Sequence, residues 1–355
     1  MAFTALLVSF LIVAVSAYSE GSRYTPSIST GYGNWSAAYA KARASVCQLT
    51  ITEKVNLTTS VGTGASAGYN LGIIPRLGFR GFALDDSPTG VRSADYTSAL
   101  TAPLNLAMSW DRSLCYARMY AKGAEHKAKG INVAYAPVVG PLGRAPEGGR
   151  IWEGYSPDPY LSGECFGFST AGMQAGGTSA VGKHFVLYEQ EHFRQVIESN
   201  SWHYPGATFN ITEPYSSNVD DRALHELYLW PWYNAVRDGM AAVMCSYNQV
   251  NNPQSCQHNH LLNDILKGEM GFQGYGLDPN VNVISLTLPA SSSRTMAASM
   301  MVCFPLLQEW TLPYSARRAP TAWKGWASVS GVQTSRRPCS TAAFQTGGRR
   351  IWLLG

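Results

Sequence analysis

A buried strand is predicted at residues 180–187, which read Ala180-Val181-Gly182-Lys183-His184-Phe185-Val186-Leu187. The apolar run has the length of a strand, and helical patterns flank it at Leu161–Gln174 and Asp221–Asp238. A strand between two helices is typical of βαβ units in a parallel sheet. Lys183 and His184 interrupt this otherwise apolar run, which makes them candidates for a functional site.

The same alternation extends in both directions along the chain. Two further helices are predicted at Arg112–Lys129 and Asn259–Met270. Further strands are predicted at Gly81–Leu84, Leu104–Trp110, Ile131–Val139, Ala241–Tyr247 and Phe272–Tyr275. This number of βαβ units in one domain favours a (β/α) barrel over an open sheet. No Gly-rich dinucleotide fingerprint follows the first strand, which also argues against an open nucleotide-binding sheet.

Composition indicates a folded protein with an uneven distribution of charge. Of the 355 residues, 45% are hydrophobic and 14% are charged, which is typical of globular chains. Residues 279–355 contain eight Lys or Arg and one acid, whereas the first 278 residues contain 19 basic and 22 acidic groups. A basic segment can bind nucleic acid or membranes. This segment lacks helical amphipathicity, so we predict neither partner.

The N-terminus has the pattern of a secretory signal peptide at residues 1–17. A mostly apolar run from Ala5 to Val15 is followed by small residues, and it is too short to span a bilayer. Glycosylation sequons begin at Asn34, Asn56 and Asn210. We therefore expect a secreted glycoprotein that has no membrane contact after signal cleavage.

The seven cysteines fit neither a disulfide scaffold nor a zinc site. Cys245 and Cys256 are close enough in sequence to close a loop, and we expect a disulfide between them in a secreted chain. The odd total leaves at least one thiol unpaired. No metal or other cofactor is expected.

Polar residues follow or interrupt several predicted strands. Asp85 and Asp86 follow the first run, Lys183 and His184 interrupt the fourth, and Tyr247 ends the fifth. In barrels the C-terminal strand ends and the loops after them form the active face. Helix caps need only short oxygen-bearing side chains, so Lys and His at these ends favour a site. A buried ion network is the alternative for Asp86, Lys183 and His184.

Four stretches of sequence resemble glycoside hydrolase family 3, in the order and spacing of that family. They are Leu84–Arg92, Gly143–Tyr160, Gly182–Arg194 (including Lys183-His184-Phe185) and Val243–Asn252 with Cys256 after it. The resemblance covers roughly residues 30–275 and implies an incomplete TIM-like barrel. We divide the chain into the signal peptide, a barrel-like domain at 18–275 and an irregular tail at 276–355.

The resemblance also implies roles for individual residues in binding a glucosyl ring. Asp86 would accept hydrogen bonds from the hydroxyls far from the anomeric carbon, and Arg92 would support Asp86. The other groups would lie along the edge and floor of the sugar: Arg150, Lys183, His184, Met244 and Tyr247. Charged donors and acceptors give hydrogen bonds of higher strength than neutral ones.

The implied activity is that of a secreted fungal-type β-glucosidase, which releases terminal β-D-glucose from cellobiose and other β-glucosides. A Pro-Gly-His-Gly signature marks the family branch that cleaves N-acetylglucosaminides, and it does not follow Lys183-His184 in this chain. The expected partner is therefore a β-glucoside or cello-oligosaccharide. Hydrolysis would retain anomeric configuration through a covalent glycosyl intermediate.

The resemblance does not extend to the two catalytic carboxylates of the family. The family nucleophile is the Asp of a Ser-Asp-Trp sequence, but here the strand continues Gly276-Leu277-Asp278-Pro279. Asp278 falls one position short, and a shift of one residue along a strand turns a side chain to the opposite face. The family acid/base Glu belongs to a second domain, for which we find no counterpart before Gly355. We expect an inactive chain, with a non-catalytic sugar-binding protein as the alternative function.

The segment beyond Tyr275 loses both the strand–helix alternation and the acidic residues. Our hypothesis is that residues 276–355 are a non-native tail, translated from out-of-frame or unspliced sequence.

Overall fold

The computed structural model describes residues 31, 33–58, 60–64, 68–86, 88–92, 94–141, 148–194, 213–277, 343–346 and 349–352. The strands are β1 Ser60–Gly64, β2 Gly68–Leu71, β3 Phe82–Asp86, β4 Val133–Tyr135, β5 Ser179–Phe185, β6 Ser216–Ser217, β7 Ala242–Cys245, β8 Gln249–Val250, β9 Tyr275–Leu277, β10 Ala343–Thr346 and β11 Arg349–Trp352.

Seven helices connect or precede these strands. They are α1 Ser36–Val46, α2 Ile51–Thr58, α3 Pro103–Ala107, α4 Arg112–Ala128, α5 Pro159–Ala175, α6 at 221–237 and α7 His260–Glu269 among the described residues. Helix α6 is continuous, but its middle turns, Leu224–Leu229, have π-helical hydrogen bonding, as does α7.

The main sheet has seven strands in the order β1-β2-β3-β4-β5-β7-β9. Strands β3, β4, β5, β7 and β9 are parallel to one another, whereas β2 is antiparallel to both β1 and β3. Strands β1 and β9 do not pair with each other, so the described sheet does not close. This arrangement confirms the predicted α/β class with an incomplete barrel.

Helices α4, α5 and α6 each begin after an aspartate. Asp111 Oδ1 accepts the Ser113 N–H at 2.8 Å, and Asp158 Oδ2 accepts the Leu161 N–H at 2.7 Å. Asp220 Oδ1 accepts the Ala223 N–H at 2.9 Å. Each carboxylate thereby satisfies a backbone N–H that has no partner within the first turn, so the sequence determines where α4, α5 and α6 begin.

The apolar residues form two layers, one inside the curved sheet and one between the sheet and its helices. The inner layer consists of Phe82, Leu84, Val133, Tyr135, Val181, Ala242, Met244 and Tyr275. In the outer layer, Trp232 of α6 packs edge-on against Phe166 of α5 and Phe185 of β5, with ring centroids 5.1 and 4.9 Å apart. All three rings are at most 1% exposed, so this cluster joins two helices to the sheet.

The prediction of a strand at Leu104–Trp110 was wrong. Residues Pro103–Ala107 form the short helix α3, and a turn follows it. Pro103 occupies the first helical turn, where an N–H would have no partner within the helix. The residues after it, Leu104 to Met108, include no β-branched side chain that would disfavour a helix. The predicted strand Ile131–Val139 is also shorter than expected, since only Val133–Tyr135 form β4.

Helices α4 and α5 approach each other closely at glycines. A Cβ atom placed on Gly172 would lie 2.3 Å from the carbonyl oxygen of Tyr116, and one on Gly123 would lie 2.3 Å from that of Met173. Both obstacles are backbone atoms, which cannot turn aside as a side chain can. The contact therefore requires glycine at these positions.

We predict that Gly172→Ala destabilises the protein by about 1–3 kcal/mol, because the two helices must separate to admit the methyl group. Gly167→Ala in the same helix is the matched control, since its Cβ would meet the Asp238 side-chain oxygen Oδ2 at 2.5 Å rather than backbone. That change is expected to be nearly neutral, because the gain in helix propensity offsets a small rearrangement. Equal destabilisation in urea unfolding would contradict this account of the helix contact.

Candidate functional site

A cavity of about 670 Å³ opens at the C-terminal ends of β3, β5 and β7. This is the end of the sheet at which barrels place their active sites. All seven residues that the sequence assigned to sugar binding line it: Asp86, Arg92, Arg150, Lys183, His184, Met244 and Tyr247. The topology therefore gathers residues from four separated stretches of sequence around one space.

Asp86 lies between two cations at the mouth of this cavity. It is the last residue of β3, and its Oδ2 accepts a hydrogen bond from Arg92 Nη1 at 3.0 Å. Its Oδ1 accepts from the ammonium of Lys183, which projects from β5 and is 2% exposed. Burial would raise the pKa of Asp86, but Lys183, Arg92 and Arg150 outweigh it and lower that pKa. The group is thus a carboxylate that can accept hydrogen bonds from hydroxyl groups.

Arg150 is held by a two-pronged pair with Glu153. Its Nε and Nη2 donate to Glu153 Oε1 and Oε2, both at 2.8 Å, and its Nη1 lies 3.8 Å from Glu191 Oε1. Glu153 is 5% exposed. Because two parallel hydrogen bonds to Glu153 fix one edge of the guanidinium, its orientation at the cavity is defined.

His184 provides an uncharged imidazole beside these cations. Burial lowers its pKa well below 6.5, and the positive charges of Arg150, Lys183 and Arg194 lower it further. The ring packs on Tyr188 and Tyr247, with centroids 4.7 and 5.9 Å away. Neutral imidazole can both donate and accept, as a sugar hydroxyl does.

Lys183 and His184 both reach the cavity although they are adjacent in a strand, where side chains normally alternate. The β5–β7 pairing is interrupted here, since Lys183 pairs with Met244 while Phe185 pairs with the next residue, Cys245. A bulge of this kind changes the direction of side chains.

Tyr247 is positioned by the loop that follows β7. Cys245 is bonded to Cys256, the pair expected from the sequence, so the loop is closed beside the cavity. The Asn248 side chain, fully buried, donates to the Leu187 carbonyl at 3.0 Å. On the cavity side, the Arg194 guanidinium lies 4.4 Å from the centroid of the Tyr247 ring, a cation–π contact.

A second group of ionisable residues lies beneath Asp86. Asp85 Oδ2 accepts the backbone N–H of Arg92 at 2.8 Å, which holds the loop that carries the Arg92 guanidinium to Asp86. Behind it, His126 Nδ1 is 2.7 Å from the Lys122 carbonyl oxygen, so Nδ1 carries the proton and Nε2 faces Asp85 Oδ2 at 3.9 Å. Burial raises the pKa of Asp85 and lowers that of His126 to about 4.

Several residues that line the cavity were missed by sequence reasoning: Tyr135, Trp152, Glu153 and Arg194. Trp152, Glu153 and Arg194 lie inside the stretches that resemble the family, so their charge and aromaticity were available as signals. Tyr135 lies in an apolar stretch of β4, and the sequence gave no signal that its side chain lines a site.

Other predicted sites are only partly within the described residues. Asn34 and Asn56 are exposed, as glycan attachment requires, whereas Asn210 and Asp278 lie outside the described residues. Among the described helices, none is both long and apolar enough to cross a bilayer.

Comparison with known proteins identifies fungal relatives. The chain is 52% identical over 247 residues to the probable beta-glucosidase A of Emericella nidulans, a match that covers 70% of this chain and 28% of that protein. It is 50% identical over 251 residues to beta-glucosidase 1 of Aspergillus aculeatus, with 69% and 28% covered. The chain thus spans less than a third of the length of these relatives.

Solved structures agree with the sequence comparison. A family 3 beta-glucosidase from Neurospora crassa superposes with a TM-score of 0.74 at 39% identity, covering 85% of this chain and 39% of that one. The complex of beta-glucosidase 3B from Thermotoga neapolitana with glucose superposes with a TM-score of 0.59 at 32% identity, covering 67% and 33%.

The family model described as "Glycosyl hydrolase family 3 N terminal domain" matches residues 76–301, more than half of the sequence. That range includes β3 to β9 and every residue of the cavity named above. The chain therefore belongs to glycosyl hydrolase family 3, and the matched residues correspond to the N-terminal domain of that family.

Proposed function

We propose that the cavity binds the terminal β-D-glucosyl unit of a β-glucoside such as cellobiose, and that this chain does not complete hydrolysis. The observation that carries the proposal is the Asp86 carboxylate, held between Lys183 and Arg92 inside a cavity lined by further donors. A pyranose presents adjacent hydroxyl groups that donate to such a carboxylate, while Lys183, His184 and Arg150 can donate to its oxygens.

The hydrolase assignment rests on the family and on the relatives named beta-glucosidase. The proposed absence of turnover rests on strand β9. Its register places Leu277 opposite Met244, and the Ser-Asp-Trp nucleophile sequence does not follow it. A retaining glycosidase needs two carboxyl groups about 5–5.5 Å apart across the scissile bond. The sugar-binding residues can therefore be present without the reacting pair.

A non-catalytic sugar-binding protein remains the second candidate function, and the intact binding cavity favours it. We further propose that the protein is secreted and glycosylated, which the exposure of Asn34 and Asn56 supports. The division at residues 17 and 275 also remains a proposal.

Asp86→Asn is predicted to weaken binding of glucose or gluconolactone about 10- to 100-fold, because a charged acceptor becomes a neutral amide. Isothermal titration calorimetry on the full chain measures this change. Asp95→Asn is the matched control, since Asp95 is an exposed aspartate outside the cavity lining. Equal affinities in Asp86→Asn and wild type would contradict the proposed role of Asp86.

Asp86→Asn also leaves the buried Lys183 charge without its anion, which can destabilise the fold. A double variant, Asp86→Asn with Lys183→Met, removes both charges. Because Lys183 is itself a proposed sugar donor, this variant tests only whether the lost ion pair destabilises the fold. It is expected to remain folded by circular dichroism while binding stays weak.

Sugar affinity is predicted to be constant from pH 7 to pH 5 and to fall in stronger acid. The neighbouring cations lower the pKa of Asp86 below 3.8, so binding that needs the carboxylate is present above that value and lost as pH falls through the lowered pKa. His184 is neutral at pH 7, because burial lowers its pKa well below 6.5.

Calorimetric titrations across this pH range test the prediction. Asp85→Asn removes the neighbouring carboxyl, whose pKa burial raises, and so isolates the titration of Asp86. A loss of affinity between pH 7 and pH 6 in both proteins would show that another group controls binding.

The full chain is predicted to release no p-nitrophenol from p-nitrophenyl β-glucoside above the heat-denatured background. Asp278→Asn should leave this rate unchanged. Release of glucose that depends on Asp278, or on any other carboxylate of the chain, would overturn the proposed inactivity while leaving the binding proposal intact.

A further inference from the structure

Two buried thiols face each other between helices α4 and α5. Cys115 and Cys165 have their Sγ atoms 2.6 Å apart, and they are 0% and 2% exposed. A disulfide bond is about 2.05 Å long, so the two sulfurs need to approach by only about half an ångström to bond. We propose that Cys115 and Cys165 form a disulfide when the protein folds under oxidising conditions.

The helix contact around the pair keeps the two cysteines in place. Gly172 of α5 lies against the backbone of Tyr116, the residue after Cys115, and no side chain separates the helices there. The Ser169 hydroxyl donates to the Cys115 carbonyl at 3.4 Å and accepts from the buried Tyr155 hydroxyl at 2.6 Å. The backbones that carry the cysteines are thus fixed at close range, as a disulfide requires.

Among the described residues, no other free cysteine could form a disulfide with Cys115 or Cys165. Cys47, Cys245 and Cys256 are already disulfide-bonded, and Cys115 and Cys165 are the free thiols of this part of the chain. Neither lines the sugar cavity. The pair is therefore a cross-link between two outer helices and is independent of the proposed sugar site.

The reaction is thiol–disulfide exchange with a low-molecular-weight disulfide such as oxidised glutathione. Either cysteine, as its thiolate, can begin the exchange, Cys115 for example. Its thiolate attacks one sulfur of the reagent and releases one thiol. Cys165, after losing its proton, then attacks Cys115 Sγ in the mixed disulfide and releases the second thiol.

Two thiols of the protein are oxidised in this exchange and one disulfide of the reagent is reduced to two thiols. Both cysteines are buried in the folded protein, so the exchange takes place during folding or in a locally opened state.

Peptide mapping tests the proposal on the wild-type chain. The unfolded full-length protein is refolded with reduced and oxidised glutathione, denatured with an alkylating reagent but no reductant, and digested. We expect a peptide pair joined through Cys115 and Cys165, lighter than the two separate thiol peptides by two hydrogen atoms. Alkylated Cys115 and Cys165, or either one joined to a different cysteine, would overturn the proposal.

A second measurement compares stability under oxidising and reducing conditions. The Cys115→Ala, Cys165→Ala variant should melt about 5–10 °C below oxidised wild type, because the cross-link restricts a long loop in the unfolded chain. A reductant should lower the melting temperature of wild type more than that of the variant, which keeps only the other disulfides. An identical response of both proteins to reductant would contradict a bond at this position.

Discussion

The buried charge of Lys183 is the constraint on which the centre of this molecule depends. Its ammonium projects from β5 and is 2% exposed, so it must have an anion within reach. Asp86 supplies it from the end of β3, although β4 separates the two strands in the sheet. One ion pair thus joins the ends of β3 and β5 across β4, and both of its residues line the cavity.

The remaining charges around the cavity are arranged so that this carboxylate stays available to a ligand. Arg150 is neutralised by Glu153, and burial among cations keeps His184 uncharged. Asp86 therefore keeps its negative charge with its side chain 36% exposed at the mouth of the cavity and donors on the surrounding wall. That pattern suits a neutral ligand with many hydroxyl groups, because each hydroxyl can donate to one group and accept from another.

Simple sequence patterns predict the parallel strands and the candidates Asp86, Lys183, His184 and Tyr247. The roles of Arg92, Arg150 and Met244 rest on the resemblance to the family. Apolar runs mark β3, β5 and β7, and the polar residues within or after them reach the same end of the sheet. The misplaced strand at Leu104–Trp110 has an apolar run of the same length, which periodicity cannot distinguish from a short buried helix. Arg194 lies in a stretch that resembles the family, but its position above the Tyr247 ring follows only from tertiary packing.

Register explains why binding and chemistry can be separated in this fold. Lys183 pairs with Met244, and Met244 pairs with Leu277, so one row of the ladder runs from the centre of the cavity to β9. All the proposed sugar-binding residues lie in β7, in the loop that follows it, or earlier in the chain, and none lies in β9. A retaining glycosidase also needs a pair of reacting carboxyl groups. The proposed loss of turnover therefore leaves every proposed sugar-binding residue in place.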